Sequence, residues 1–369
     1  MSESFSQKED DPKFWKTIKE DWQKTQVKRT LKQDFKEIRD FYISAEQKKK
    51  MEKMGKVKRW FFILLWLLKG MFFKLTPMRR ILLLVSFILI LSSGGATVNS
   101  KGDVESGRNP VLGFLVITFV LMLELKDKIL ARDELREGRA IQIALSPDES
   151  PDIPGWDVWL FSRPANDVGG DFVDFMQIDN KRYNLALGDV AGKGMGAALL
   201  MAKLQATIRA VAPDKKSLSE IGEKINSIFH RDSLRNKFAS LVYLECDSKG
   251  ATVRFLNAGH FPPLLISGND ITETSKGSAA LGIMEGTKYD EQKLTVNKGD
   301  LFFVYSDGLI EACNERDEFY GEERLRKLLL EHKKKSSREV GKLIINSVDL
   351  FRGDTFSYDD LSMIILKRN

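Results

Sequence analysis

Beyond Gly155 the chain is written in short β-rich runs, and that rhythm constrains its fold more than any other feature. The runs are "WDVWLFS", "FVDFMQI", "RYNLALGDV", "FASLVYLECD", "ATVRFLNAG", "PPLLIS", "QKLTVN", "DLFFVYSDG" and "LSMIILK". Each is rich in β-branched and aromatic residues, the side chains that fit a pleated, half-buried surface. Links as short as "DNK" and "DSKG" join some of them, which suits antiparallel hairpins and is too short for parallel crossovers. Helical patterns interrupt the runs in two pairs, Met195 to Val211 with Leu218 to Phe229, and Glu322 to His332 with Ser337 to Phe351. Strands in such number, with helices in pairs, predict an α+β fold of two packed antiparallel β-sheets flanked by helices, an α-β-β-α sandwich.

Carboxylates recur where these strands end. "GGDFVD" offers Asp171 and Asp174, "LALGDVAGKG" offers Asp189, "LFFVYSDGL" offers Asp307, and "SYDDLSMIIL" offers Asp359 and Asp360. A single aspartate beside glycine is an ordinary turn residue, and that reading stays open for each taken alone. Together they also fit one convergent site at an edge of the sandwich. Clustered carboxylates do not all stay ionised without a cation, and hard ions such as Mg²⁺ or Mn²⁺ take oxygen ligands. The neighbouring glycines are expected to let the backbone turn sharply and carry carbonyls toward the metal. No Ser-His-Asp or Cys-His arrangement is evident, so a nucleophilic side chain is not the expected chemistry. "GDVAGKG" lacks the spacing of a P-loop, because Met195 follows Gly194.

Taken in order, "RPANDVGGDFVDF", "LALGDVAGKGMGAALLMA", "LNAGHFPPLL", "FFVYSDGLIEA" and "YDDLSMIIL" resemble the hallmarks of the SpoIIE/RsbU-like serine phosphatases. These are metal-dependent, PPM-type protein phosphatases. The resemblance covers about residues 140–368 and nothing before Lys126. It implies the same sandwich, with a centre of two divalent cations, Mn²⁺ or Mg²⁺, at one edge. By that resemblance Asp189 bridges both metals, the Val190 carbonyl ligates one, and Asp171 supports the same centre. Asp307 and Asp359 hold the other metal, with Asp360 the second choice for that position. Asp171, Asp189, Asp307 and Asp359 are then the catalytic set. The implied reaction is attack of metal-activated water on phosphoserine or phosphothreonine, without a covalent enzyme intermediate.

Other positions are weighed beside that set. Lys193 reads either as a contact to substrate phosphate or as a solvated loop lysine. His260, in "NAGH", is expected to be structural rather than a general acid. Asp174 matches a frequent family acid but is not expected on a metal, and Phe172 and Phe175 are expected to face into the sheets. "AGKG" and Ser362 stand where the family commonly has "SGKG" and Thr; both changes leave the ligands intact. The implied substrate is a phosphorylated regulatory protein, such as an anti-sigma-factor antagonist of the STAS type. The competing readings are a catalytically silent membrane scaffold, which would show a lost ligand, and a phosphoesterase for small molecules.

The chain's first part reads differently. Met1 to Arg59 holds 17 Lys and Arg against 11 Asp and Glu, which is the whole +6 excess of the protein. A basic excess confined to one end predicts a lipid surface as partner, not nucleic acid. Two lone cysteines, Cys246 and Cys313, suggest neither a disulfide framework nor a zinc cluster. Apolar positions at helical spacing run through 12–45, and the polybasic "KKKMEKMGKVKR" precedes the first of three apolar runs. The expected organisation is a basic helical cytoplasmic segment over 1–59, a membrane region over 60–125, a helical linker over 126–150 and the phosphatase-like domain over 151–369. Within the membrane region, 60–75 is expected as an interfacial helix, with a span as the alternative. The segments 81–98 and 109–125 are expected as a transmembrane hairpin, oriented by basic flanks on its cytoplasmic side. That places the protein at the inner (cytoplasmic) membrane, its catalytic domain facing the cytoplasm, with a homodimer through the linker as a further expectation.

Overall fold

A computed structural model of the chain describes residues 43, 47, 50–51, 54–92, 97–98, 104–105, 109–233, 236–248, 250–353, 355 and 359–369. The chain divides into two compact units, Met1–Lys128 and Ile129–Asn369, taken in turn below. The helical pattern over 12–45 falls almost wholly outside the described residues.

In the first unit, helix α1 runs Lys56–Lys74 and helix α2 runs Pro77–Leu91. Pro77 opens α2 at a position where a missing N–H costs nothing, and it separates the two helices at Leu75 and Thr76. A short ladder pairs Thr97–Val98 with Val104–Glu105, and helix α3 then starts at Asn109 and continues to Leu145. A Cβ at Gly113 of α3 would stand 2.8 Å from the Ser86 carbonyl, so the glycine permits close approach to α2. Arg79 ties the two helices further, with Nη atoms 2.5 Å from Glu124 and 2.6 Å from Asp127.

The expected transmembrane hairpin is not borne out. Among the described residues no helix is long and apolar enough to cross a membrane. α2 has 15 residues, roughly 22 Å of rise, against the ~30 Å of a hydrocarbon core. α3 is long, but its apolar run meets Glu124, Lys126, Asp127 and Lys128. The three helices nevertheless present many large apolar side chains outward, among them Trp60, Phe61, Leu64, Ile81, Ile88, Phe114 and Phe119.

The second unit is the predicted sandwich. Its first sheet contains β2 (Asp171–Gln177), β3 (Arg182–Val190), β4 (Ala239–Asp247), β5 (Thr252–Ala258) and β8 (Gln292–Thr295), ordered β8-β5-β4-β3-β2. The second contains β1 (Trp156–Arg163), β6 (Leu264–Ser267), β7 (Asp270–Glu273), β9 (Leu301–Tyr305) and β10 (Leu361–Arg368), ordered β1-β10-β9-β6-β7. Every pairing in both sheets is antiparallel. Helices α4 (Met195–Val211) and α5 (Leu218–Asp232) cover the first sheet, and α7 (Gly321–His332) and α8 (Ser337–Arg352) cover the second. A four-residue helix, α6 (Asp307–Ile310), follows β9.

The two-residue period of a strand sorts its side chains between three cores. Leu185 and Leu187 of β3 point between the sheets, while Ala186 faces α4 and α5. Ile364 and Leu366 of β10 enter the same central layer, and Met363 and Ile365 meet α7 and α8. Phe172 and Phe175 do not share a face as expected. Three residues apart on one strand, they lie on opposite sides, Phe172 toward the helices and Phe175 against the central layer. α8 begins with a capping box between Ser336 and Glu339, and its Gly341 lies directly against the Trp159 ring, where a larger residue would not fit. The strand β7 was not predicted, because "DITE" is too short and polar to stand out; it survives as an edge strand paired with β6.

Candidate metal centre

Strand register builds the centre. β2 and β3 pair so that Asp171 lies directly opposite Asp189. In the second sheet Tyr305 of β9 pairs with Met363 of β10, so Asp307 just after β9 and Asp359 just before β10 emerge at the same end. Ser306 and Ser362 lock that end: Ser306 N–H donates to the Ser362 carbonyl at 2.9 Å, and Ser362 N–H donates to Ser306 Oγ at 2.9 Å. Gly308 follows Asp307 because the Asp360 carbonyl occupies the space a Cβ would need.

These carboxylates repel one another in a poorly solvated place. Asp171 is buried, and its Oδ2 has no hydrogen-bond partner. Burial first, then the charges of Asp189 and Asp360, push its carboxyl well above the usual range, against the Ser306 and Ser362 hydroxyls. Asp189 is pushed up to about 6 by burial and then by Asp307, with Asp359 and Asp360 adding to it. Asp307 is raised by burial and then by Asp359, while the Gly308 N–H and Lys193 act the other way.

The donor set fits hard divalent cations. It consists of carboxylates and a carbonyl, it includes an orphaned buried oxygen, and its mutual repulsion is what a bound cation would relieve. A cradle is also kept open: a Cβ at Gly170 would stand 2.8 Å from the Val190 carbonyl oxygen and 3.5 Å from Asp189 Oδ1. As placed, the acids form a chain of neighbours rather than one tight group. Among the described residues no three or more His, Cys, Asp or Glu stand together as a ready metal-binding cluster.

The two adjacent acids separate cleanly. Asp360 is held by the backbone, accepting from Ala165 N–H at 2.7 Å, Gly170 N–H at 2.7 Å and Asp171 N–H at 3.2 Å. Asp359 adds to the charge felt by Asp307 and Asp189, and its Oδ2 stands 3.4 Å from Lys193 Nζ. The two glycines of "VGGD" therefore serve close approach, and neither has a positive φ. A Cβ at Gly169 would stand 2.9 Å from Asp360 Cγ, and one at Gly170 would crowd Val190. Sharp turning was the expected reason; missing side-chain volume is the observed one.

Asp174 is engaged elsewhere, held by Arg209 Nη2 and Nε at 2.6 and 2.9 Å and by Gln205 at 3.0 Å. His260 is engaged at both ring nitrogens: its Nδ1 meets Ser240 Oγ at 2.7 Å and its Nε2 meets the Tyr305 carbonyl at 3.1 Å. Burial lowers its pKa to about 4, which keeps it neutral near pH 7. One positioning residue left no signal in the sequence. Gln142, near the end of α3, donates to the Gly169 carbonyl at 2.8 Å and accepts from the Gly169 N–H at 3.2 Å.

Comparison with known proteins agrees with this fold. The family model of stage II sporulation protein E (SpoIIE) matches residues 179–369, a range that begins after Asp171. The phosphoserine phosphatase RsbU of Bacillus subtilis is 27% identical over 239 residues, which is 64% of this chain and 70% of RsbU. Protein IcfG of Synechocystis is 24% identical over 302 residues, 72% of this chain, which thus spans about half (47%) of IcfG. Among solved structures, the SiaA-PP2C domain of Pseudomonas aeruginosa has the same fold at a TM-score of 0.59 and 19% identity, covering 66% of this chain and 99% of that one. The RsbU and RsbW domains of a Mycobacterium tuberculosis protein align with a TM-score of 0.51 at 26% identity, covering 59% of this chain and 61% of that one.

Proposed function

The chain belongs to the SpoIIE family, and from that premise we propose that it is a metal-dependent protein phosphatase acting on phosphoserine or phosphothreonine of a regulatory protein. The observation that carries the reading is the cross-strand pair of Asp171 and Asp189, one oxygen of it buried and orphaned, with Asp307 and Asp359 arriving from the second sheet. Asp171, Asp189, the Val190 carbonyl, Asp307 and Asp359 would hold two divalent cations, Mn²⁺ or Mg²⁺. Bound there, such cations supply Lewis acidity, lowering the pKa of water and neutralising phosphoryl oxygens. The chain's own residues set the stage for this. Asp360 holds the 165–171 loop through three N–H groups, and Gln142 fixes Gly169 from the other side. Lys193, beside Asp359, would trade that contact for a phosphoryl oxygen of the substrate.

The substrate class is supported by RsbU and RsbP, relatives that are named phosphoserine phosphatases. A STAS-type antagonist is the regulator we favour. The silent-scaffold alternative is disfavoured, because no carboxylate of the set is missing. We place the protein on the cytoplasmic face of the inner membrane, its first unit against lipid, as its outward apolar side chains and basic N-terminal segment suggest.

The test is phosphate release by the full-length protein reconstituted with lipid, with and without Mn²⁺, from p-nitrophenyl phosphate and a phosphoserine protein. We expect release that needs the metal and vanishes in Asp307→Asn. Metal-independent release, or equal release by that variant, would refute the assignment.

A further inference from the structure

Beside the candidate centre the second unit carries a groove of about 650 Å³, lined by His230, Ser233, Lys237, Phe238, Gly282 and Ile283. A run of contacts leads to it from the site residue by residue. Val190 pairs with Ala239 across β3 and β4, and the next residue, Ala191, donates its N–H to the Phe238 carbonyl at 2.9 Å. Lys237 Nζ donates to the Ala191 carbonyl at 3.0 Å and fills the space over Gly192, the neighbour of Lys193. On the far side, Ala239 and Leu281 exchange backbone hydrogen bonds of 3.0 and 2.8 Å, which sets Gly282 and Ile283 against the same strand. Gly282 takes a positive φ and is fixed by Asn226, whose side chain also donates to the Met284 carbonyl.

The groove is thus held by backbone bonds, yet its apolar side chains face outward. Phe238 is 43% exposed and Ile283 is 52% exposed, with Met284 at 60% beside it. Side chains so exposed on well-anchored backbone leave about half of their apolar area unused in folding, and apolar residues grouped in a groove are what a binding surface offers. The groove's own lysine, Lys237, bonds to the Ala191 carbonyl two residues before Lys193, which stands beside Asp359, and the apolar Phe238 and Ile283 line the groove with it. That arrangement suits one occupant, an extended phosphorylated segment whose phosphate meets the lysines.

Building on the phosphatase reading above, we propose that this groove receives an apolar side chain flanking the phosphoserine of the substrate protein. Phe238 and Ile283 are then specificity-determining residues, and Lys237 holds the 191–193 loop at the boundary between groove and centre. Small phosphate esters never reach the groove and gain nothing from it.

The experiment uses the full-length protein in lipid, as wild type, Phe238→Ser and Ile283→Ser. Two fluorescein-labelled phosphoserine peptides serve as probes, identical except that one carries leucines on either side of the phosphoserine and the other carries serines. Binding is read by anisotropy, and turnover is read on both peptides and on p-nitrophenyl phosphate. We expect wild type to prefer the leucine peptide by roughly tenfold, in dissociation constant and in KM, the scale of one apolar group in a pocket. In both variants that preference should collapse while p-nitrophenyl phosphate turnover stays unchanged. Equal binding of the two peptides by wild type, or a preference that survives both substitutions, would overturn the groove assignment. Absence of p-nitrophenyl phosphate turnover would instead overturn the phosphatase reading, and the anisotropy comparison would still decide the groove.

Discussion

Two carboxylates facing each other across neighbouring strands are an unfavourable arrangement unless a cation sits between them. At Asp171 and Asp189 burial adds to that cost, because Asp171 Oδ2 has no partner. Asparagine keeps the shape of aspartate and removes the charge. Asp189→Asn is therefore expected to stabilise the metal-free protein by about 1–3 kcal/mol, a rise of a few degrees in melting temperature. The same change should cut Mn²⁺-dependent turnover by about a hundredfold or more and remove the stabilisation that Mn²⁺ gives wild type. Thermal melts in EDTA and in Mn²⁺, run beside p-nitrophenyl phosphate assays, check all three; a destabilised variant in EDTA would contradict the repulsion argument. Asp189 and Asp307 were legible in the sequence as acids ending apolar strands beside glycine. Which of Asp359 and Asp360 the backbone would hold was not. Neighbouring residues point to different sides of the backbone, and only the position of the 165–171 loop determines which carboxylate it captures. His260 and Asp174, expected to lie outside the metal set, are engaged by Ser240, Tyr305, Gln205 and Arg209.

Strands and helices of the second unit were largely readable, because their periodicities differ and their turns are short. The starts of α4 at Met195 and α8 at Ser337 fall where glycine and a capping box put them. Elements whose identity depends on distant neighbours escaped, such as the edge strand β7 and the short helix α6. The C-terminal part of α3 is the instructive case. It was legible as a charged helix, unbroken by Gly138, yet nothing in its sequence marked Gln142 as reaching the site. Its amide forms both hydrogen bonds to Gly169, two residues before Asp171. Gln142→Ala leaves those backbone groups without their partner, at a cost of about 1–2 kcal/mol. We expect a modest loss of stability, a higher Mn²⁺ concentration for half-maximal activity, and a kcat reduced roughly tenfold through misplacement of Asp171. Manganese titration of p-nitrophenyl phosphate turnover distinguishes this from a structural defect alone. If stability falls while the half-maximal Mn²⁺ concentration is unchanged, Gln142 supports the fold and not the centre.

On the scale of the whole chain, charge and apolar exposure are both uneven, and they coincide. The excess of basic residues lies before Trp60, and the apolar residues that follow are turned outward in the folded protein. On α1, Val57, Trp60, Phe61, Leu64 and Leu68 recur at the three- and four-residue spacing of one helical face, all of them more than 40% exposed. A stripe of that kind can enter the headgroup boundary of a bilayer without spanning it, and basic residues beside it contribute about 1 kcal/mol each near an anionic surface. The expectation of spanning helices went too far, because hydropathy responds to apolar content and not to the length at which a helix stops. Two contributions predict two separable responses in co-sedimentation of the full-length protein with vesicles. Replacing anionic phosphatidylglycerol by neutral phosphatidylcholine, or raising salt to about 0.5 M, should weaken binding by removing the electrostatic part. The triple change Trp60→Ser, Phe61→Ser and Leu64→Ser should weaken it at least about tenfold even at low salt, since each side chain withdrawn from the interface forgoes a kcal/mol or more. Binding that ignores the triple change but vanishes in salt would make the attachment purely electrostatic. Binding that resists both would mean that α1 is not the membrane-facing element, and the exposed faces of α2 and α3 would then be the ones to substitute.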